Sequence, residues 1–509
     1  MRPSLPVSRP VAVIGAGAMG AGIAQVALVA GHPVLLFDAN AEAARTAMVT
    51  IGASLRKMVD KGHMSSEAAD AAVSRLSAVD SYTGFGNVGL VVEAVVERLD
   101  VKRGIFSDLE KVVPVDAVLA SNTSSLSITA IAAGLKHPGR VVGMHFFNPA
   151  PLMALVEVVS GLATDDEVAA LVFATATTWG KRAVHTKSTP GFIVNRVARP
   201  YYAEALRLLN EQASDAATLD AIAREAGGFR MGPFELMDLI GHDVNFAVTR
   251  SVFDAYFGDP RFTPSLIQQE LVSAGRLGRK SGQGFFNYGK DSVPPSPRQF
   301  EFSDVSELPA IVDSTALGVA LVERLASKNF KVVTRNGAGK GPVFVEAGLT
   351  VCITDGRTAA QRSLDEGGIP VVLLDLTLAP RTCSRIALAA SDNCNPEGLA
   401  RVAAVLQAAG LAVSQIDDVP GMAVMRTVAM LANEAADAVN QGVSSAADVD
   451  LAMTSGVNYP RGPLAWADEI GLSAVAEVLE NLAQAYGEDR YRVSPLIRRL
   501  VANGRRFHN

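Results

Sequence analysis

The chain has 509 residues, of which 49% are hydrophobic and 19% are charged, and its formal net charge is −6. This length predicts two to four domains. The acidic balance argues against a nucleic-acid partner, and no apolar run is long enough to cross a membrane. Residues 1–10 show no signal or transit segment, and the three cysteines form no CxxC pair. We therefore expect a cytoplasmic protein without disulfides or a zinc site.

A dinucleotide-binding turn is predicted near the beginning of the chain. The β-branched run 11–14 leads into Gly15, Gly17 and Gly20, a helical stretch follows, and a second apolar run ends at Asp38. In such a turn the first glycine allows the bend, the second lets the backbone approach a pyrophosphate, and the third lets the helix pack on the strand. A carboxylate at Asp38 would bind the ribose hydroxyls and repel a 2′-phosphate, which favours NAD over NADP.

A histidine and a carboxylate lie twelve positions apart in two apolar runs. His145 ends the first run, and Glu157 lies inside the second. A carboxylate on one imidazole nitrogen fixes the tautomer and raises the basicity of the other, so the pair is a candidate acid–base dyad. The alternative is a core histidine with only a structural role. The remaining histidines are interpreted as structural or solvated: His32, His137, His508, His63, His185 and His242. Of these, His63, His185 and His242 lack an evident partner in the sequence.

Two further apolar runs, 90–95 and 117–121, predict buried parallel strands. The second run leads into a hydroxyl-rich loop at 122–125, at the carboxyl end of a strand, where α/β sheets bind ligands. Helix capping is the expected role for most of these hydroxyl groups.

Five separated motifs together resemble the L-3-hydroxyacyl-CoA dehydrogenase family. They are IGAGAMG at 14–20, SNTSS at 121–125, HFFNP at 145–149, PGFIVNR at 190–196 and GRKSGQGFF at 278–286. The resemblance implies an α/β plus all-α fold, in which a Rossmann domain binds NAD and a helical domain serves substrate binding and dimerisation. It also implies NAD-dependent oxidation of an L-3-hydroxyacyl-CoA thioester to the 3-ketoacyl-CoA.

The resemblance implies a role for each residue at a matching position, and it implies no metal. His145 would be the catalytic base, and Glu157 would orient it and stabilise its charge. Ser124 and Asn195 would hydrogen-bond the reacting oxygen of the substrate. The implied NAD contacts are Gly15, Gly17, Gly20, Asp38, Glu97, Lys102, Asn148 and Lys280. The implied coenzyme A contacts are Ser54 and Lys61, although Lys61 is equally expected to be a solvated surface lysine.

The chain also repeats itself at a constant offset of 230 in residue number. The pairs that carry the repeat include Pro190/Pro420, Arg196/Arg426, Glu204/Glu434, Asp220/Asp450, Pro233/Pro463, Asp238/Asp468 and Gly241/Gly471. At an offset of 298, the glycines of the turn align with Asp313, Thr315 and Gly318, and Asp38 aligns with Asn336. Asn195 aligns with Met425, and no histidine lies between His242 and His508. The second copy is therefore predicted to be degenerate and without an active site of this type.

The repeat predicts five segments. They are a Rossmann domain at 1–186, a helical domain at 187–290, a linker at 291–306, a degenerate truncated Rossmann-like unit at 307–414 and a second helical domain at 415–509. Because the helical domain of single-copy relatives resembles a dimerisation surface, the second copy could form an internal pseudo-dimer with the first. Further self-association stays open.

The substrate is less closely defined by the sequence. The acyl group could be 3-hydroxyadipyl or 3-hydroxybutyryl, in phenylacetate or fatty acid catabolism, and Arg230 and Lys187 are candidate cations for a dicarboxylic tail. A dehydrogenase of a free hydroxy acid or sugar acid, of the L-gulonate type, is a second hypothesis on the same scaffold. A non-catalytic nucleotide-binding structural protein is a third.

Overall fold

The computed structural model describes residues 3–305, 307–312, 314–337 and 341–508. Contacts divide the chain into two compact units. Unit 1 comprises Met1–Arg196 and Ala438–Val457, and unit 2 comprises Val197–Asp437 and Asn458–Asn509. Within the described ranges, every helix is too short or too polar to span a bilayer.

Strands and helices alternate along most of the chain. The strands are β1 (Val11–Ile14), β2 (Val34–Phe37), β3 (Leu76–Ala78), β4 (Leu90–Glu93), β5 (Val118–Ser121), β6 (Val141–Phe146), β7 (Leu155–Ser160), β8 (Arg182–Lys187), β9 (Ile311–Val312), β10 (Thr334–Arg335), β11 (Phe344–Glu346), β12 (Leu349–Ile353), β13 (Val371–Leu374), β14 (Arg385–Ala390) and β15 (Ala412–Gln415). The α-helices are α1 (Ala18–Val29), α2 (Ala41–Asp60), α3 (Ser66–Ser74), α4 (Leu99–Leu109), α5 (Ile128–Ala132), α6 (Asp166–Thr178), α7 (Val194–Val197), α8 (Arg199–Asn210), α9 (Ala216–Glu225), α10 (Pro233–Ile240), α11 (His242–Ala255), α12 (Leu266–Ser273), α13 (Ala316–Ser327), α14 (Ala359–Asp365), α15 (Pro396–Ala408), α16 (Val424–Asn440), α17 (Ala446–Gly456), α18 (Pro463–Ile470), α19 (Leu472–Tyr486) and α20 (Pro495–Ala502).

Unit 1 contains an eight-stranded sheet in the order β3-β2-β1-β4-β5-β6-β7-β8. Only β6 and β7 pair in the antiparallel sense among its described strands. The central strands β1, β4 and β5 are buried along their whole length, as continuous apolar runs in a parallel sheet predict. The strand order reverses between β1 and β4, and this switch point is where α/β sheets bind dinucleotides. The predicted Rossmann architecture is thus present.

Part of the second helical copy packs on the edge of this sheet. Lys187 N donates to Val443 O at 2.9 Å, and an arginine of the same strand, Arg182, donates through Nη1 to Ser455 Oγ at 3.3 Å. The segment predicted as one domain at 415–509 therefore contributes to both compact units. Nothing in the sequence repeat indicates this division, because the offset reports similarity rather than contact.

Unit 2 contains the reduced α/β part, with helices of both copies around it. β9 and β10 form a parallel pair, and the remaining strands form a five-stranded sheet in the order β11-β12-β13-β14-β15. Helix α13 follows α1 at the predicted offset, since 316 − 18 = 298, and Asn336 follows β10 as Asp38 follows β2. Strand β14 follows β7 and helix α15 follows α6 at the other offset, since 385 − 155 and 396 − 166 both equal 230. The degenerate second copy is confirmed, and the segment that it lacks, which accounts for the change of offset, falls between β10 and β12.

Candidate active site

The register of β6 on β7 brings the predicted dyad together. These two strands are antiparallel, and His145 lies directly opposite Glu157. His145 Nδ1 is 2.6 Å from Glu157 Oε2, and the two residues are 5% and 0% exposed. Nε2 of His145 makes no hydrogen bond in the described part of the chain. The imidazole therefore has one nitrogen held by a carboxylate and one nitrogen open to a ligand.

Glu157 has a second function that the sequence did not reveal. Its Oε1 accepts hydrogen bonds from Ile193 N and Val194 N, both at 3.0 Å. These amides begin the helical turn that carries Asn195, so one carboxylate orients the imidazole and also holds the backbone under Asn195. A buried carboxylate is tolerated here because both of its oxygens are hydrogen-bonded.

Ser124 and Asn195 lie next to each other, as their proposed common function requires. Asn195 Nδ2 donates to Ser124 O at 3.4 Å. The hydroxyl loop is tied to the histidine strand, because Phe146 N donates to Asn122 Oδ1 at 2.8 Å. The structure thus gathers the four predicted catalytic residues in unit 1.

Glu97 organises the backbone of the hydroxyl loop. Its Oε1 accepts from Thr123 Oγ1 at 2.6 Å, from Ser124 N at 2.9 Å and from Ser125 N at 3.0 Å. Burial alone would raise the pKa of Glu97, but the hydrogen bond from Thr123 and the charge of Lys102 outweigh it and hold this pKa below its usual range. The carboxylate therefore stays ionised and fixes the loop that presents Ser124.

Lys102 lies in a buried charged cluster rather than at the surface. Its Nζ is 2.7 Å from Glu93 Oε1 and 3.3 Å from Glu97 Oε2, and the Lys102 side chain is 1% exposed. The other oxygen of Glu93 accepts from Ser121 Oγ at 2.7 Å. Sequence reasoning missed Glu93 and Ser121, although a lone carboxylate in the apolar run 90–95 is the signal that could have indicated this cluster.

The glycine turn has the geometry of a pyrophosphate site. Gly15 has φ +98°, and a Cβ there would lie 2.6 Å from Ala94 O. A Cβ on Gly20 would lie 1.8 Å from Gly15 O, whereas a Cβ on Gly17 would meet nothing within 4 Å. Helix α1 has no side-chain cap at Gly17, so its first amides remain available to an anion. Asp38 Oδ2 accepts from Ala16 N at 2.7 Å, which places its carboxylate beside the turn.

The remaining predicted ligand contacts are spread over the surface. Ser54 is half-buried on α2, Lys61 is exposed immediately after α2, and Asn148 is exposed in the loop after β6. Lys280 belongs to unit 2, where its Nζ is 2.5 Å from Asp243 Oδ1. The ligand-binding functions of these four residues stay predictions.

One of the other histidines has a partner that the sequence analysis did not recognise. His242 is buried, and its Nε2 is 2.7 Å from Asp238 Oδ1. Asp238 also accepts from Phe285 N and Phe286 N, both at 2.9 Å, and so anchors the last of the five motifs. The structural interpretation of His242 fits this geometry, but the statement that it lacks a partner was wrong; the four-residue spacing of Asp238 and His242 was the missed signal.

The second copy has no dyad at the corresponding positions. At the offset of 230, His145 corresponds to Asp375, Glu157 to Ala387 and Asn195 to Met425. The carboxylate of Asp375 accepts from Ala423 N, Val424 N and Met425 N at 3.0, 2.7 and 3.0 Å.

The first two of these amides correspond to Ile193 and Val194, so the helix-anchoring carboxylate has moved to the neighbouring strand. Asp375 and Met425 line a cavity of about 420 Å³, and no histidine is among its described lining residues.

The degenerate glycine turn offers a phosphate fewer free amides than the first copy does. Thr315 caps α13 with its own side chain, whose Oγ1 accepts from Gly318 N at 3.0 Å. The hydroxyl thus binds the amide of Gly318. In the first copy the corresponding amide, that of Gly20, has no side-chain acceptor, because Gly17 carries no side chain. Asp313, which aligns with Gly15, lies outside the described residues.

Comparisons with known proteins agree with this architecture. The model of the 3-hydroxyacyl-CoA dehydrogenase NAD binding domain matches residues 10–189, and that of the C-terminal domain matches twice, at 191–288 and 421–507. A 3-hydroxybutyryl-CoA dehydrogenase reduced Rossmann-fold domain matches residues 351–420. The chain belongs to the 3-hydroxyacyl-CoA dehydrogenase family.

Full-length and half-length relatives both occur. The chain is 46% identical over 489 residues to a 3-hydroxyadipyl-CoA dehydrogenase of Escherichia coli K12, covering 96% of each chain. The crystal structure of a 3-hydroxybutyryl-CoA dehydrogenase from Escherichia coli K12 superposes with a TM-score of 0.86 at 44% identity, covering 98% of this chain and all of that one. The mitochondrial hydroxyacyl-coenzyme A dehydrogenase of Sus scrofa is 40% identical over 284 residues, which are 55% of this chain and 90% of the relative.

These matches confirm the predicted reaction and cofactor. The protein is an NAD-dependent 3-hydroxyacyl-CoA dehydrogenase, and its N-terminal domain is the NAD-binding one. The uncapped helix and the open space at Gly17 fit this cofactor. The free-acid and structural-protein hypotheses are not supported.

Proposed function

We propose that His145 and Glu157 form the acid–base dyad of this dehydrogenase. The observation that carries the proposal is the 2.6 Å contact between His145 Nδ1 and Glu157 Oε2, which leaves Nε2 free to face the substrate. The glycine turn and Asp38 would hold NAD, whose nicotinamide would supply the acceptor for the hydride that leaves C3 of the substrate. His145 Nε2 takes the hydroxyl proton, and Glu157 stabilises the imidazolium that forms. Ser124 and Asn195 hold the reacting oxygen through hydrogen bonds.

The dyad is tested by replacing His145 with glutamine. We expect His145→Gln to lower kcat for an acyl-CoA substrate by on the order of 10²–10⁴-fold, the usual contribution of a positioned general base. His185→Gln is the matched control, because it replaces a histidine of the same sheet that has no part in the proposed dyad. His185 lies on β8, and its ring stacks on that of Phe173 with centroids 4.5 Å apart. NADH absorbance measures both variants. Unchanged turnover in His145→Gln would show that another group is the base.

We further propose that the acyl group is 3-hydroxyadipyl. The support is the Escherichia coli relative of that name, which matches along almost the whole chain. The superposed structure from the same strain is named for 3-hydroxybutyryl-CoA, so the two names differ in the acyl group. Comparing kcat/KM for 3-oxoadipyl-CoA and acetoacetyl-CoA in the reducing direction decides between them. A higher value for acetoacetyl-CoA would assign the butyryl substrate instead.

The two helical copies are proposed to form an internal pseudo-dimer. Arg261 Nη1 is 3.2 Å from Glu434 Oε2, and Arg490 Nη1 is 3.5 Å from Glu204 Oε1. Glu204 and Glu434 are equivalent positions of the repeat, and the two arginines lie at the same place in matching short helices, Pro260–Phe262 and Asp489–Tyr491. Reciprocal contacts of this kind define an isologous interface.

The fragment 1–290 tests this arrangement, because it carries one NAD-binding domain and one C-terminal domain of the family. We expect the fragment to sediment as a dimer and the full chain not to use this surface for self-association. A fragment that stays folded and monomeric would contradict the pseudo-dimer.

The protein is also proposed to be cytoplasmic, in keeping with three free cysteines, Cys352, Cys383 and Cys394.

A further inference from the structure

A second cavity lies within the helical part of unit 2. Its volume is about 300 Å³, and it is lined by α8, by Thr249 of α11 and by residues 261–268. Four arginines line it, Arg199, Arg207, Arg261 and Arg490, against a single carboxylate, Glu211. Arginines therefore outnumber carboxylates among the residues that line it.

Three of these arginines are neutralised by carboxylates. Arg207 pairs with Glu488 and Glu211, Arg261 with Glu434 and Asp437, and Arg490 with Glu204. Glu211, the only lining carboxylate, is engaged by Arg207 at 3.1 Å and by Arg426 at 3.1 Å. Arg199 has no carboxylate partner in the described part of the chain. One buried positive charge at the cavity is thus left uncompensated.

The environment of Arg199 holds its guanidinium in place without neutralising it. The residue is 6% exposed, its Nη1 donates to Thr249 Oγ1 at 3.1 Å, and its Cζ lies 4.9 Å from the centre of the Tyr202 ring. Burial raises the pKa of Tyr202, so that ring remains a neutral phenol. A buried cation without a counter-ion is costly, and an arginine cannot avoid that cost by deprotonation in the physiological range.

The free edge of the guanidinium defines the ligand. Nη2 of Arg199 makes no hydrogen bond in the described part of the chain, whereas Nε is closed off from the cavity by the surrounding atoms. Nη2 can donate a charge-assisted hydrogen bond to an oxygen of a carboxylate. The cavity walls include apolar side chains, among them Leu206, Pro264 and Leu266. A carboxylate on a short aliphatic chain matches both features.

We propose that this cavity binds an aliphatic carboxylate through Arg199. Two molecules could supply it: the far end of a dicarboxylic acyl chain, or a free dicarboxylate. The first source rests on the proposed function. The sequence candidates for this cation, Arg230 and Lys187, are both exposed side chains. Arg199 is the better candidate because its charge is buried and, among the described residues, unpaired.

The test compares Arg199→Met, Arg199→Lys and the exposed control Arg230→Met in the full chain. We measure kcat/KM for 3-oxoadipyl-CoA and for acetoacetyl-CoA, and the binding of adipate by calorimetry. If the acyl chain supplies the carboxylate, Arg199→Met should lower the ratio of the two kcat/KM values on the order of 100-fold, as expected for losing a buried charged hydrogen-bonding partner. Arg199→Lys should restore part of the ratio, and Arg230→Met should leave it unchanged.

A free dicarboxylate gives a different result. Adipate should then bind the wild type and not Arg199→Met, while the ratio of kcat/KM values stays the same in both. If neither the ratio nor adipate binding depends on Arg199, the proposal is wrong. Thr249→Val, which removes the hydrogen bond to Arg199, replaces Arg199→Met if that variant fails to fold. If the wild type reduces neither thioester, the proposed function is wrong. The adipate measurement would still show whether the cavity binds a carboxylate through Arg199.

Discussion

Replacing Glu157 with glutamine would separate the two functions of this carboxylate. Glu157 Oε1 accepts from two backbone amides, Ile193 N and Val194 N, and Oε2 lies 2.6 Å from His145 Nδ1. A glutamine that keeps its oxygen on the amides must turn its NH₂ group toward Nδ1. The imidazole proton then moves to Nε2, which can no longer accept a proton from the substrate. The opposite orientation would leave two buried amides without an acceptor, at ~1–3 kcal/mol each, so the first orientation should prevail.

The expected loss of activity follows from the lost charge. Two unit charges ~4 Å apart at an effective dielectric constant of ~20 attract each other by ~4 kcal/mol. Glu157 is 0% exposed, so solvent does not replace that attraction when the imidazolium forms. A barrier higher by this amount lowers kcat by roughly 10³-fold. KM should change little, because the proposed substrate contacts, Ser124 and Asn195, keep their side chains.

The assay is steady-state NADH formation with Glu157→Gln and with Glu346→Gln as a control. Glu346 is also buried, and it pairs with Arg401 at 2.6 Å in the five-stranded sheet of unit 2. Circular dichroism and thermal melting establish the folded fraction of each variant. A loss of kcat below about tenfold for folded Glu157→Gln, or an equal loss in Glu346→Gln, would refute the reasoning.

Three further predictions concern the second copy, the helical contact and the cofactor. Asp375→Ala should lower the melting temperature, since buried amides lose their acceptor at ~1–3 kcal/mol each, and adding Ala387→Glu should recover part of it; no recovery would contradict the equivalence of the two anchoring carboxylates. Burial raises the pKa of Glu204, but Arg426 and Arg490 outweigh this and hold it below its usual value. Glu204 therefore stabilises the fold above the unfolded-state pKa of ~4.3, and this contribution is lost as the pH falls through the folded-state pKa. The melting temperatures of wild type and Glu204→Gln should converge on acidification, and a constant difference would exclude the ion pairs as its source. Asp38→Ala should raise KM for NAD by at least ~10-fold, and it should lower the ratio of kcat/KM for NAD to kcat/KM for NADP by at least ~10-fold. An unchanged ratio would show that Asp38 does not contact the ribose.

The features that the sequence predicted well depend on residues close together in the chain. The glycine turn and the strands at 11–14 and 90–95 follow from backbone freedom at glycine and from apolar runs of strand length. The constant repeat offset likewise located the second copy without any knowledge of contacts. The sequence also paired His145 with Glu157, because an imidazole and a carboxylate buried in two nearby apolar runs are costly unless they pair.

Contacts between distant segments required the tertiary structure. The second function of Glu157, the cluster of Glu93 with Lys102, and the exchange of the anchoring carboxylate to Asp375 each depend on which backbone amides and strands meet in space. The sequence shows Arg199 only as one arginine among many, and its isolation from the described carboxylates appears only once the fold has placed them. The chain by itself therefore determined the repeat, the cofactor turn and the pairing of the dyad, since these rest on local pattern. The fold alone decided which buried charges are paired, since pairing depends on three-dimensional proximity and on exclusion of water.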